Sequence, residues 1–334
     1  MRHLLAALAG RTRFEWIEPA AICDAPALLD PLRLCAGERL ESPWLEVPGG
    51  FHEALPSWNV EVEGGAGILV ELRVASAAER SPWMVIGSSG AAPLDRTAHA
   101  AYERGAVEID VFRSAVRHDQ VRLRVRGADR AVVLHRLTIC VSEHAEFSIP
   151  EAPVGRDVPR IPVSFRSQRI ESAALQDRIC SPTAVAMVLE YHGIREETAA
   201  VAGRLFDPAA NTYGNWSRAV QGAFEFGVPG LLARFSKWSD VAAVLGRGQP
   251  LIISIGARPG ELTGAPYLET SGHLLVATGL SRERGLLVSD PAAARERDGV
   301  RAYDLDELDR VWLRRGGTAY VLLPPASRTE QAKA

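Results

Sequence analysis

Gln176-Asp-Arg-Ile-Cys180-Ser-Pro-Thr-Ala-Val-Ala-Met-Val-Leu-Glu-Tyr-His-Gly193 is the stretch on which the reading of this chain turns. A cysteine stands just before a proline, the proline opens an amphipathic run, and a glycine closes it. Proline has no backbone donor and fits a first helical turn, and glycine fits the left-handed residue after the last turn. Ala184, Met187, Val188 and Tyr191 fall at i, i+3, i+4 and i+7, one buried helical stripe. Cys180 is therefore expected at the N-terminus of a buried helix, where the helix dipole favours a thiolate. Free cysteines are also among the most buried residue types, so this placement takes its meaning from the rest of the chain.

Downstream, the apolar runs His273-Leu-Leu-Val-Ala-Thr-Gly279 and Gly285-Leu-Leu-Val-Ser-Asp290 flank the polar turn Ser281-Arg-Glu-Arg-Gly285 and predict a hairpin. If the turn centres between Ser281 and Arg282, His273 opposes Asp290, with Cβ atoms roughly 4.5–5.5 Å apart on one face. Asp290 is then expected to hold the imidazole by Nδ1–H and leave Nε2 for a nucleophile. Gly272 before His273 permits close approach of another segment, and Pro291 ends the strand at the carboxylate. Alone, His273 reads as a strand-edge histidine and Asp290 as a turn residue; with Cys180 they read as a nucleophile, a base and its orienter.

The ordered set resembles a known family. Cys180-Ser-Pro-Thr with its helix ending Tyr191-His-Gly193, then Gly272-His273-Leu-Leu-Val, then Val288-Ser-Asp290-Pro-Ala292 are similar to the papain-like cysteine peptidases related to the bacteriocin-leader-processing endopeptidases, family thirty-nine of the cysteine peptidases. Gly214-Asn-Trp216, Gly248-Gln-Pro-Leu-Ile-Ile-Ser254, and Trp312 with Gly316-Gly317 extend the match over about residues 160–324. It is closest to the stand-alone bacterial members, since no nucleotide-binding motif is present. The resemblance implies a papain-like fold with Cys180 as nucleophile, His273 as base and acid, and Asp290 as orienter. It also implies an upstream glutamine whose amide joins the cysteine N–H in an oxyanion hole, usually about six residues before the nucleophile. This chain offers Gln168, twelve before, and Gln176, four before. Gln168 is preferred and Gln176 is the second choice. Ser181, where many relatives have glycine, Trp216 and Gly272 are candidates for the substrate cleft, Trp216 being equally readable as a core residue.

The rest of the chain sets the frame. Its 334 residues are enough for two domains, and 47% hydrophobic residues are enough to fill their cores. A formal net charge of -3 argues against duplex nucleic acid or an anionic membrane as partner. Only Lys237 and Lys333 are lysines, which reads as composition bias because the arginines are scattered among acids. Cys23, Cys35, Cys140 and Cys180 form no CxxC pair, and the eight histidines are dispersed, so no metal and no cofactor is expected. No apolar run reaches the ~18 residues of a membrane span. Leu4–Gly10 resembles a stunted signal peptide and is read as a short, partly ordered element, so a cytoplasmic place is favoured over export.

The fold class expected is α+β, a papain-like peptidase domain preceded by an all-β sandwich. Residues 1–43 read as irregular, 44–144 as the sandwich, 145–163 as a proline-spaced linker, 164–325 as the peptidase domain and 326–334 as a disordered tail. The alternation Val121-Arg-Leu-Arg-Val-Arg126 predicts a solvated arginine face, and Trp58 reads as a sandwich-core side chain rather than a sugar-stacking platform. The expected partner is a peptide or protein substrate, with carbohydrate or protein as a candidate ligand of the sandwich. Peptide-bond hydrolysis through a thioester is the favoured chemistry. Transpeptidase- or transglutaminase-like acyl transfer and a non-catalytic binding module on a peptidase scaffold remain the alternatives.

Overall fold

A computed structural model describes residues 2–9, 13–24, 31–62, 64, 66–77, 79–90, 101–128, 130–143 and 157–325. Among the described residues twelve strands precede residue 144: β1 (Arg2–Ala9), β2 (Arg13–Ile17), β3 (Leu32–Leu34), β4 (Arg39–Glu41), β5 (Leu45–Val62), β6 (Gly67–Ser76), β7 (Glu79–Arg80), β8 (Met84–Gly90), β9 (Ala101–Tyr102), β10 (Gly105–Glu108), β11 (Val111–Ala128) and β12 (Val132–Glu143). All their described pairings are antiparallel, in the order β2-β1-β12-β5-β11-β10-β9, with β6 branching from β11 and β8 pairing with β6. The long strands serve both layers of the sandwich. β5 pairs with β11 along its first half and with β12 along its second. Within the first half the register with β11 shifts between Glu46 and Phe51, and Gly49-Gly50 lie there with φ of 77° and 76°, in the left-handed region that glycine enters without steric cost. Phe51, Trp58, Ile68, Leu72, Phe112, Leu123, Leu137 and Ile139 fill the space between the layers.

The N-terminal segment departs from expectation. Residues 2–9 form β1, paired with β12 through Leu4↔Val141, Leu5↔Cys140 and Ala6↔Ile139. Successive side chains of a strand point to opposite faces. Ala6 and Leu8 enter the sandwich core, whereas Leu5 and Ala7 enter the core of the C-terminal unit. An unbroken apolar run is what a strand buried on both faces requires, and that is why this one mimicked the core of a signal peptide.

The C-terminal unit is built around α1 (Cys180–Tyr191), followed by α2 (Thr198–Leu205), α3 (Trp216–Glu225), β13 (Gly230–Arg234), α4 (Trp238–Gly246), β14 (Leu251–Ala257), β15 (Thr270–Ser281), β16 (Gly285–Ser289), α5 (Glu296–Gly299), β17 (Val300–Tyr303), α6 (Leu305–Val311) and β18 (Thr318–Leu322). The sheet runs β13-β18-β14-β15-β16-β17, and residues 181–189 of α1 are all buried. The end of the expected linker belongs to this unit. Val158 exchanges backbone hydrogen bonds with Leu280 (2.8 and 3.0 Å), and Ile161 N–H donates to Thr278 O at 2.6 Å. Val158, Ile161 and Val163 are buried. Pro159 and Pro162, which have no N–H, alternate with these donors, a pattern suited to a sheet edge. Residues 145–156 and the expected disordered tail, 326–334, lie outside the described residues.

The two units share a buried polar seam. Ser217 Oγ of α3 donates to Pro56 O at 2.7 Å. The Gln221 amide both accepts from Val60 N–H (2.9 Å) and donates to Val60 O (2.8 Å). From β13, Gly230 N–H reaches Asn59 Oδ1 at 3.1 Å and Leu232 N–H reaches Ser57 Oγ at 2.9 Å. Arg234 Nη1 donates to Glu53 Oε2 at 2.5 Å and to Ser142 Oγ at 2.8 Å. So Ser57 and Asn59 bond the neighbouring unit, and Trp58, 1% exposed, donates Nε1–H to Ser89 Oγ in the sandwich core. The arginine face is not simply solvated. Arg124 and Arg126 both bond the buried Glu71 carboxylate, at 2.6 and 2.8 Å, and Arg124 also lies 4.3 Å over the Trp83 ring.

Candidate active site

Helix α1 begins at Cys180, as expected, and Pro182 lies two residues on, in its first turn. Proline costs nothing there because the first N–H groups have no partner within the helix. The helix ends as expected, with Gly193 at φ 85°. The Cys180 thiol is half-buried, with the His273 side chain and the backbone N–H groups of Ser181 and Leu274 near enough to favour its charged form.

His273 lies on β15 opposite Ile255 of β14, and Asp290 follows β16 directly. The hairpin register differs from the expected one. Val276 pairs with Ser289 and Ala277 with Val288, and a bulge lies between Ala277 and Gly279. Asp290 thus falls two residues out of step with His273, as its diagonal rather than its direct neighbour. A shift of two residues keeps both side chains on the same face, and they still meet, with His273 Nε2 2.7 Å from Asp290 Oδ1. The ring is turned opposite to expectation. Nε2 takes the carboxylate, which leaves Nδ1 on the side of the thiol.

The Asp290 carboxylate is fully buried and saturated with donors. Oδ1 also accepts from Ala292 N–H at 3.0 Å, and Oδ2 accepts from Tyr303 O–H at 2.8 Å and Tyr267 O–H at 3.3 Å. Burial pushes its pKa up, but the His273 charge and these hydrogen bonds hold it below the ordinary carboxylate value. Burial likewise opposes charge on His273, but the Asp290 charge and hydrogen bond, with the thiol, raise it to about 10. Burial raises the Cys180 thiol, and the hydrogen bond and charge of His273 with the two N–H groups bring it below an ordinary cysteine. The directions agree on one state, a thiolate beside an imidazolium.

The other candidates separate clearly. Gln168 opens a 3-10 turn (Gln168–Ile170), is buried, and bridges two segments of the site. Its N–H donates to Pro291 O at 2.9 Å and its Nε2 to Gln176 O at 2.6 Å. Gln176 takes part through that backbone carbonyl, and its own side chain is half-exposed. Ser181 is not a cleft residue, because it is fully buried with Oγ 3.1 Å from the Tyr320 hydroxyl. Trp216 opens α3 and is partly buried against the core. Gly272 is exposed, with open space where a Cβ would stand. The sequence reading missed Tyr267 and Tyr303, whose contacts need the fold to become visible. All four cysteines are free, and among the described residues no group of His, Cys, Asp and Glu is arranged to hold a metal ion. No described helix is long and apolar enough to cross a membrane.

The peptidase C39-like family profile matches residues 160–320, the segment that carries Cys180, His273 and Asp290. The profile of the peptidase C39 N-terminal domain matches residues 36–142. Residues 160–320 form a C39-like cysteine peptidase domain. The first match falls in the C-terminal unit, and the second covers β4 to β12 of the N-terminal unit and leaves β1, β2 and β3 outside it. Among solved structures, one described as a double glycine motif protease from an AMS/PCAT transporter in complex with the leader peptide aligns at 17% identity and a TM-score of 0.32, over 49% of this chain and 94% of that one. No curated protein matches the chain. The C39-like unit of this peptidase thus reaches from the edge segment at Arg160 to Tyr320 on β18.

Proposed function

We propose that this C39-like peptidase hydrolyses peptide bonds through a Cys180–His273–Asp290 triad. The observation that carries the reading is the buried His273–Asp290 pair, Nε2 to Oδ1 2.7 Å, with the imidazole close enough to Cys180 to lower the thiol. The thiolate attacks the carbonyl carbon of the scissile bond, and the negative charge passes to the carbonyl oxygen. That oxygen is held by a backbone N–H in the first turn of α1 and by the second N–H of Gln168 Nε2, the first being given to Gln176 O. The imidazolium gives its proton from Nδ1 to the leaving amine, the C–N bond breaks, and a thioester remains. His273 then takes a proton from water as the water oxygen attacks. The acid product leaves and the thiolate–imidazolium pair is restored. Asp290 stays ionised throughout, and the neighbouring amide and hydroxyl donors support that charge.

Two measurements test the reading. Iodoacetamide at pH 6 is expected to label Cys180 ahead of Cys23, Cys35 and Cys140, and His273→Ala is expected to abolish that selectivity. A library of fluorescence-quenched peptides is expected to be cut by the wild type and not by Cys180→Ser. Labelling of Cys180 no faster than of an ordinary thiol, or equal cleavage by Cys180→Ser, refutes the triad.

A further inference from the structure

The segment joining β14 to β15, residues 258–269, has no regular structure, yet it is tied down along its length. Arg258 N–H donates to Glu261 Oε2 at 2.8 Å, and Arg315 Nη2 bonds the same oxygen at 2.7 Å. Thr263 bonds the Glu307 carboxylate twice, through N–H at 2.8 Å and Oγ1 at 2.6 Å. Arg301 Nη1 donates to Gly264 O. This strapped segment delivers one side chain to the site. The Tyr267 ring meets the His273 ring nearly edge-on, at 4.8 Å between centroids and 61° between planes, and its hydroxyl reaches Asp290 Oδ2.

Counting donors at Asp290 shows what this arrangement does. Oδ2 is taken by Tyr267 and Tyr303, and Oδ1 by Ala292 N–H and the imidazole. A carboxylate offers about four lone-pair directions, so three fixed donors leave His273 a single place to dock. The same ring stands beside the Nε2–Oδ1 bond, where water would otherwise compete with the imidazole for the carboxylate.

We propose that Tyr267 is a positioning residue for the peptidase reaction. Its ring covers the His273–Asp290 hydrogen bond against water, and with Tyr303 it leaves the carboxylate one direction in which to hold the imidazole, so that Nδ1 faces Cys180. This rests on the triad reading. Tyr267 touches neither the scissile bond nor the thiol, and it acts through Asp290 and His273. The titratable groups that face this pair are Cys180 from α1, Tyr303 from β17 and Tyr267 itself, with Arg301 beyond Tyr303.

The test needs no substrate. The rate at which iodoacetamide alkylates Cys180 in the full chain is followed by mass spectrometry from pH 4 to pH 9, and its inflection marks thiolate formation. Tyr267→Ala is expected to move that inflection up by about one pH unit, which makes alkylation about tenfold slower on the acid side. Tyr267→Phe keeps the cover but loses the hydroxyl on Asp290 Oδ2, and its inflection is expected to lie between those of the wild type and Tyr267→Ala. An unchanged inflection in Tyr267→Ala overturns the proposal, and so does a Phe variant that behaves like Ala. Thermal unfolding accompanies each variant. If Tyr267→Ala fails to fold, Tyr267→Leu takes its place, and a wild-type inflection in it overturns the proposal equally. His273→Ala separates the two ideas. If it shifts the profile and Tyr267→Ala does not, only the role of Tyr267 falls. If His273→Ala leaves the profile unchanged, the triad reading falls and takes this proposal with it.

Discussion

Asp110→Asn tests the seam between the two units, and its effect depends on pH in a direction fixed by burial. Asp110 lies in the tight turn between β10 and β11. Its neighbour Ile109 has φ 59°, a left-handed conformation that costs a β-branched residue about 1–3 kcal/mol. The turn places the buried Asp110 carboxylate on the N-terminus of α3, where Oδ2 accepts from Trp216 N–H at 2.5 Å and Ser217 N–H at 3.1 Å. A side chain of the sandwich thus caps a helix of the peptidase unit. Burial pushes the carboxylate up from 3.8 to about 6, against the pull of those N–H groups and Arg234. A folded-state value above the unfolded one means that the protonated form favours folding. The contribution is complete below 3.8 and is lost as pH rises through about 6. Its full size is about 3 kcal/mol, of which about 1.4 has returned at pH 5 and about 2.4 at pH 4. The wild type alone will not display this. Burial lowers His118 to about 4, and its contribution runs the other way, being present above 6.5 and lost as pH falls. The comparison with Asp110→Asn cancels His118. Melting temperatures of both proteins at pH 7.5, 5 and 4 are expected to move apart in favour of the wild type by about 2 °C at pH 5 and about 3 °C at pH 4, relative to pH 7.5. A difference that stays constant across this range refutes the buried, ionised cap.

Other substitutions probe separate parts of the argument. Gln168→Ala is expected to lower kcat by about 10²–10³-fold while leaving the alkylation profile of Cys180 unchanged, and Gln176→Ala is expected to alter neither, both read with one quenched peptide cut by the wild type. Arg234→Ala leaves the buried Glu53 carboxylate without one of its partners at the seam, and urea unfolding is expected to show a loss of about 3–5 kcal/mol. Gly317→Ala is expected to cost at least about 2 kcal/mol by the same measurement, because φ is 58° and the new Cβ would stand 1.8 Å from the Phe235 carbonyl oxygen.

What the sequence disclosed follows from which features have local causes. Helix α1 was legible because its stop is a glycine at positive φ and its stripe is periodic. Its start was legible too, since proline marks a first turn and Cys180 heads that turn as expected. The meeting of His273 with Asp290 survived a wrong register. The turn centres on Glu283, where Ser281 pairs with Gly285, which moves the register by three residues, and the bulge near Thr278 takes one back; the net shift of two conserves the face, and the face is what the chemistry needs. Strands β1, β13 and β17 were missed because each is short or lacks alternation. In β1 the missing alternation was itself the signal, since a strand clamped between two cores has no polar side to show. The seam was illegible for a different reason. Ser217 and Gln221 bond the carbonyls of Pro56 and Val60, and backbone carbonyls carry no sequence signature, so nothing in β5 names its partner. Tyr267 combines both difficulties. It lies in an irregular segment positioned by Glu307, Arg301 and Arg315, residues far along the chain from it, and its role exists only once β15 and β16 have brought a carboxylate under its ring. Residues that carry the chemistry are restricted in type and so leave a pattern. Residues that aim them are restricted only in place, and place is a property of the fold.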